Sequence, residues 1–124
     1  MTSLFESKIL GHYRNRKQAF TNPTKWPQIN VLYQKIAENV LDLKQWYNYQ
    51  TEDTAYRHYH LTCEYLDEHT VITSAFNIDS QTDGCQLQWG YHGGWWFGEV
   101  RGECILRNTR VKSEISFNGD LYQS

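Results

Sequence analysis

Apolar and polar positions alternate strictly along residues 56–65. Arg57, Tyr59, Leu61, Cys63 and Tyr65 fall on one set of positions, and Tyr56, His58, His60, Thr62 and Glu64 on the other. A period of two is that of a β-strand, whose successive side chains leave opposite faces. The odd set is the apolar one, so it is predicted to face a core, although it begins with an arginine. The same period recurs at Ile29, Val31 and Tyr33, and again at Cys85, Leu87, Trp89 and Tyr91. Aromatic content makes residues 46–50 a strand, which Glu52-Asp53-Thr54 turns into 56–65. Asp67-Glu68-His69 closes a hairpin onto 70–78, and the polar run 79–84 leads into 85–91. His92-Gly93-Gly94 is a hairpin turn before 95–99. Arg101-Gly102 turns again before 104–107, Asn108-Thr109 leads into 111–117, and Asn118-Gly119 opens a last turn. Residues 36–43 fit either a short helix or an irregular turn.

Ahead of these strands the pattern is helical. Ser3 and Glu6 have capping-box spacing, Leu4, Phe5, Ile9 and Leu10 form a stripe, and Gly11 is a stop. Asn15 with Gln18 reads as a second N-cap, and Asn22-Pro23 ends whatever it starts. The expected organisation is one domain over residues 1–124 with a helical preface over 1–23. Seven or eight short strands on tight turns make an antiparallel meander, which has to close on itself or stack to hide its edges. The predicted fold is therefore mainly β: an antiparallel β-barrel with short N-terminal helices.

Composition narrows the function. At 124 residues the chain supports one modest core, and a net charge of −2 leaves no basic footprint for nucleic acid. The 5 Trp, 9 Tyr and 5 Phe stand against a single Met and put most of the apolar area on rings with polar tips. Such rings suit a core or the wall of a cavity for a conjugated ligand. No apolar run is long enough to cross a bilayer, and Met1–Glu6 lacks the regions of a signal peptide, so a cytoplasmic protein with no membrane partner is expected.

Cys63, Cys85 and Cys104 show no CxxC spacing, and their odd number argues for reduced, half-buried thiols. Among five histidines, His58 and His60 share one strand face while His12, His69 and His92 are scattered. One pair falls short of a zinc site's three or four ligands, so solvent-facing histidines and no metal are expected. No GxSxG, GxGxxG, P-loop or HExxH motif is present. What remains is an aromatic-rich barrel with Arg57 on its inner face and no self-contained catalytic triad. An unpaired guanidinium on a core-facing surface costs several kcal/mol, roughly, so Arg57 sits at a wet strand end or waits for an anion.

Several segments carry a resemblance. Residues 11–23, with Gly11, Asn15, Gln18-Ala19 and Pro23, resemble the opening signature of the T-type phycobiliprotein lyases, the CpcT/CpeT family. Ala55-Tyr56-Arg57 resembles its Pro-Tyr-Arg motif. Gly84-Cys85, Phe97-Gly98 and Gly102-Glu103-Cys104 follow in register, and Lys112-Ser113-Glu114 falls where the family has Asp-Ser-Glu. The match spans nearly the whole chain.

The resemblance implies a calycin-like, lipocalin-like barrel that binds an open-chain tetrapyrrole (a bilin, phycoerythrobilin or phycocyanobilin) as ligand and substrate, with no separate cofactor. It also implies delivery of that bilin to a cysteine of a phycobiliprotein β-subunit as a thioether. Arg57 would then pair with a bilin propionate, beside Tyr56 from the same motif, Tyr59 and the aromatic wall that includes Trp89. Catalytic residues stay unassigned, because the acceptor supplies the thiol.

The departures are specific. The family's second arginine, two residues after the first, is Tyr59 here, and its Glu-Gln pair is Tyr49-Gln50. The sequence stops at Ser124, about where the family continues into an Asp-bearing tail, which leaves Glu114 or Glu99 to meet the cationic pyrrole nitrogens. The resemblance would then be to a compact form of the family, such as a cyanophage-encoded member. The alternatives are a bilin carrier that does not transfer its pigment, and a lipocalin-like carrier of another small apolar acid. Homodimer formation is left open.

Overall fold

The computed structural model describes residues 3–14, 29–102, 104–106, 109–110 and 114–123. One short helix, α1 (Leu4–Ile9), precedes the strands. These are β1 (Gly11–Arg14), β2 (Ile29–Ala37), β3 (Val40–Tyr47), β4 (Arg57–Asp67), β5 (Thr70–Asn77), β6 (Thr82–His92), β7 (Trp95–Val100), β8 (Ile105–Leu106), β9 (Thr109–Arg110), β10 (Glu114–Phe117) and β11 (Tyr122–Gln123). Nine of them form one sheet in the order β1-β2-β3-β4-β5-β6-β7-β10-β11, and β8 and β9 pair separately. Every pairing is antiparallel, as the alternation and tight turns predict.

The sheet curls until its two edges meet. Tyr13 of β1 stacks on Tyr122 of β11 at 5.0 Å, and the Tyr122 and Tyr33 hydroxyls share a hydrogen bond of 2.7 Å. Burial pushes the Tyr33 phenol well above its ordinary range and Tyr122 up to about 12, so both stay neutral and the seam carries no charge. The result is a near-closed barrel whose edge-strand liability is hidden by phenol rings.

The inner face follows the odd positions of β2 to β6 and switches to even positions in β7, as antiparallel register requires. Its core holds Val31, Tyr33, Leu41, Leu43, Leu61, Cys63, Val71, Trp89, Trp96 and Phe117. Six residues are too few for an isolated helix, so α1 is held by what it touches. Phe5 meets Trp89 at 5.3 Å, Trp96 at 5.3 Å and Phe117 at 5.5 Å, all edge-on, and Ile9 is fully buried beside it. The Ser3 hydroxyl accepts the Glu6 N–H at 3.0 Å, as the capping-box spacing predicts. Glu6 is buried as well. It accepts hydrogen bonds from the Tyr65 hydroxyl at 2.6 Å and Lys35 Nζ at 3.0 Å. Helix α1 therefore stops one end of the barrel.

Some expectations need correction. Residues 11–14 form β1, a strand the helical preface did not foresee; the second helix expected after Asn15 lies outside the described residues. Residues 36–43 are not a helix: the β2–β3 register shifts between Lys35 and Ala37, and Glu38 and Asn39 make the hairpin turn, with Asn39 at φ 60°. Strand β3 ends at Tyr47, so Tyr49 lies in a turn. Cys85 and Cys104 are joined in a disulfide with their Cα atoms 5.8 Å apart, while Cys63 is a buried free thiol. An odd total could not exclude a bridge, because the core sequesters one cysteine and leaves two to pair. Burial pushes the Cys63 thiol up to about 11, so it offers no thiolate.

A candidate ligand site at the Arg57 end of the barrel

Helix α1 engages β4 near its end, at Tyr65, and Arg57 starts that strand roughly 26 Å away at about 3.3 Å per residue. Arg57 thus stands at the opposite mouth, where the odd face of β4 meets β3. Register pairs Arg57 with Gln45 and Tyr59 with Leu43 and Asn77. Arg57 is exposed, Nη1 donates to Gln45 Oε1 at 3.4 Å, and no ion pair engages it among the described residues. A wet strand end and a free guanidinium are both realised. The cation costs nothing where it sits, and its fork is available to an anion.

Alternation alone would send Tyr56 to the face opposite Arg57. Strand β4 begins at Arg57, so Tyr56 lies in the preceding bend and is free of the alternation. Its ring lies 5.6 Å beneath the guanidinium, and its hydroxyl donates to the same Gln45 Oε1 at 3.5 Å. Tyr47 stacks on Tyr56 at 4.5 Å, and Tyr49 stacks on Tyr47 at 5.5 Å. Tyr49 is 83% exposed. The motif arginine therefore crowns a three-ring aromatic ledge. Burial raises the Tyr56 phenol above its ordinary range; the Arg57 charge works against that shift and Tyr47 adds to it. Tyr59 is half-buried on the inner wall just below.

The other two expected site residues lie elsewhere. Trp89 is 1% exposed, donates Nε1–H to Thr73 Oγ1 at 2.9 Å and packs on Phe5. It fills the stoppered half of the barrel. Gly98 belongs to the same arrangement: a Cβ there would come within 2.5 Å of the Trp89 ring. Glu114 is exposed on the outer face, paired in register with Glu99. Both border a cleft of about 750 Å³ with Gln88, Gly90 and Phe97. The structure thus brings Tyr56, Arg57 and Tyr59 together and sets Trp89 and Glu114 apart. Tyr47 and Tyr49 were missed as members of the ledge, although Trp46-Tyr47-Asn48-Tyr49 is an aromatic signal in the sequence. A further group stands on the outer wall. Asp42, His58 and His60 converge there, and only the histidines were weighed beforehand.

The described residues thus build a near-closed antiparallel barrel, stoppered by α1 at one end and carrying Arg57 and stacked tyrosines at the other. The chain is similar in fold to the structure of the T-type phycobiliprotein lyase CpeT from Prochlorococcus phage P-HM1, with a TM-score of 0.79 and 27% identity. The likeness covers 95% of this chain and 80% of that one. The resemblance read from the motifs and the mainly-β barrel expected from it are both borne out. No protein-family model matches the sequence, and no curated protein does. No helix among the described residues is long and apolar enough to cross a membrane.

Proposed function

We propose that this protein binds an open-chain tetrapyrrole at the Arg57 mouth and delivers it to a cysteine of a phycobiliprotein β-subunit. The single observation that supports this most is the likeness to a T-type lyase over nearly the whole chain, at an identity above bare fold similarity. The mouth supplies the chemistry such a ligand needs. A bilin brings two propionates and a long conjugated face. Arg57 would take one propionate through its two-pronged donor set, and Tyr56, Tyr47 and Tyr59 would bear on the pyrrole rings. Trp89 would act from behind, holding α1 in the stoppered half. Glu114 would meet pyrrole nitrogens only in a ligand that reaches the β7–β10 wall.

The reaction requires no covalent group from this chain. The acceptor thiol adds to the ring-A ethylidene: an S–C bond forms, the C=C bond is lost, and the thiol proton passes to the neighbouring carbon. Nothing is oxidised or reduced. The protein's contribution would be orientation, worth roughly 7 kcal/mol or more of barrier in favourable cases, together with shielding of the polyene. Such work belongs in the cytoplasm of a cyanobacterial cell, host- or phage-encoded.

The test is an absorbance titration with phycoerythrobilin and phycocyanobilin side by side. A saturable shift near one equivalent is expected for at least one of them. No spectral change with either pigment in excess ends the reading. One observation favours a carrier instead: Tyr59 occupies the place of the family's second arginine, which leaves the mouth a single carboxylate clamp.

A further inference from the structure

On the outer wall, behind the mouth, Asp42 of β3 stands directly across from His60 of β4, with His58 two residues along on the same face. His58 Nε2 lies 2.6 Å and His60 Nε2 3.3 Å from the same oxygen, Asp42 Oδ1. The three donor atoms all lie within 4.8 Å of one another. Around a tetrahedral metal ion with bonds of about 2.0–2.1 Å, ligand atoms sit roughly 3.3 Å apart. The Asp42–His60 separation already has that value, and a small turn of the carboxylate opens the Asp42–His58 one.

We propose that Asp42, His58 and His60 form a binding site for a divalent first-row transition metal ion, zinc by preference. Two features favour a dication over a plain ion cluster. The Asp42 side chain is 7% exposed on the outward face of a sheet, where an acid would ordinarily stand in water. Two imidazole nitrogens also converge on one of its oxygens, His58 at hydrogen-bonding distance and His60 at 3.3 Å, so all three donors are already turned toward a common point. The set is two nitrogens and one oxygen, borderline donors suited to zinc and not to calcium or magnesium. His60 is 40% exposed on its side chain, so the remaining coordination position faces solvent and takes water. This is an open site, unlike the four-ligand closed sites of structural zinc. Lys44 works against it: Nζ lies 4.0 Å from Asp42 Oδ2, although Glu52, at 3.2 Å, draws the ammonium aside. A bound ion would clip β3 to β4 next to the Arg57 mouth.

The experiment uses the full chain without a polyhistidine tag, titrated with cobalt(II) in the absence of any pigment. Visible d–d bands that saturate at one equivalent and vanish on adding zinc are expected, and zinc should raise the melting temperature. His60→Gln, at the most exposed ligand, should keep the metal-free melting temperature and weaken binding by at least the roughly 10–100-fold that losing even an outer-shell partner costs. Lys44→Met should tighten binding, and His69→Gln should change nothing. Absence of the bands, or bands that survive both His58→Gln and His60→Gln, would overturn the site. Neither result bears on bilin binding.

Discussion

At the scale of single residues, Arg57 carries the most weight. It is exposed, held by one long hydrogen bond to Gln45 and propped on Tyr56, so it contributes little to stability. Its alanine variant is expected to keep the wild-type melting temperature and to lose about 1.5–3 kcal/mol of bilin affinity, the worth of a hydrogen bond to a charged group. Lysine should restore part of this, because it has the charge without the planar fork. Normal binding with reduced stability would instead make Arg57 a structural residue. Gly98 is the opposite case. A methyl group there meets the Trp89 ring, which Phe5 and Phe117 hold from other sides, so no rotamer relieves the clash. Gly98→Ala should cost about 1–3 kcal/mol by overpacking, read as a lower urea midpoint.

At the scale of elements, α1 and β4 are joined through an acid. Burial alone would raise the Glu6 carboxyl, but hydrogen bonds from Tyr65 and Lys35 and the Lys35 charge outweigh it and hold it below the ordinary carboxylate range. A depressed acid contributes stability above its unfolded pKa and loses it as pH falls through the folded value. Acid should therefore loosen α1 first as pH falls below the ordinary Glu value of about 4.3. The check is Phe5 and Trp89 environment by near-ultraviolet dichroism against pH, and Glu6→Gln should flatten that dependence. The disulfide acts on a second element: it ties β6 to the chain after β7 across 19 residues. A loop of that length predicts about 3 kcal/mol lost in a Cys85→Ser variant, or on reduction.

These elements also explain what the sequence could disclose. Period-two alternation exposed β4 and β6, and Gly93-Gly94, both at positive φ, marked the β6–β7 hairpin, because those signals are local. Strand β1 was missed because four residues beside a helix have no period of their own; pairing to β2 makes them a strand. The grouping of Arg57 with Tyr56 and Tyr59 was legible through the motif, whereas Tyr47 and Tyr49 join it only through stacking in the fold. The disulfide and the Asp42–His58–His60 group were not, because each joins residues whose adjacency exists only in the folded sheet.

At the scale of the whole molecule, the barrel divides its labour along its axis. Phe5, Trp89, Trp96 and Phe117 fill the half next to α1, so a ligand entering beside Arg57 meets a floor and not a through-channel. A long tetrapyrrole would then lie partly across the tyrosine ledge, with one carboxylate clamped and its far end in solvent. Such a pose suits binding, which an aromatic wall and one anchor satisfy. It suits transfer only if the acceptor subunit itself completes the site, since small misplacements of ring A cost orders of magnitude in rate. The expected outcome follows from that difference. Co-produced with a bilin alone, this protein should carry pigment that leaves it on denaturation. With a phycobiliprotein β-subunit added, a fluorescent adduct on denaturing gels should appear slowly, at one cysteine, and depend on Arg57. An adduct that forms quickly and survives Arg57→Ala would show that the acceptor alone orients the bilin. Pigment that stays on this chain after denaturation would reveal a covalent relay, and serine replacements at Cys63, Cys85 and Cys104 would identify its sulfur.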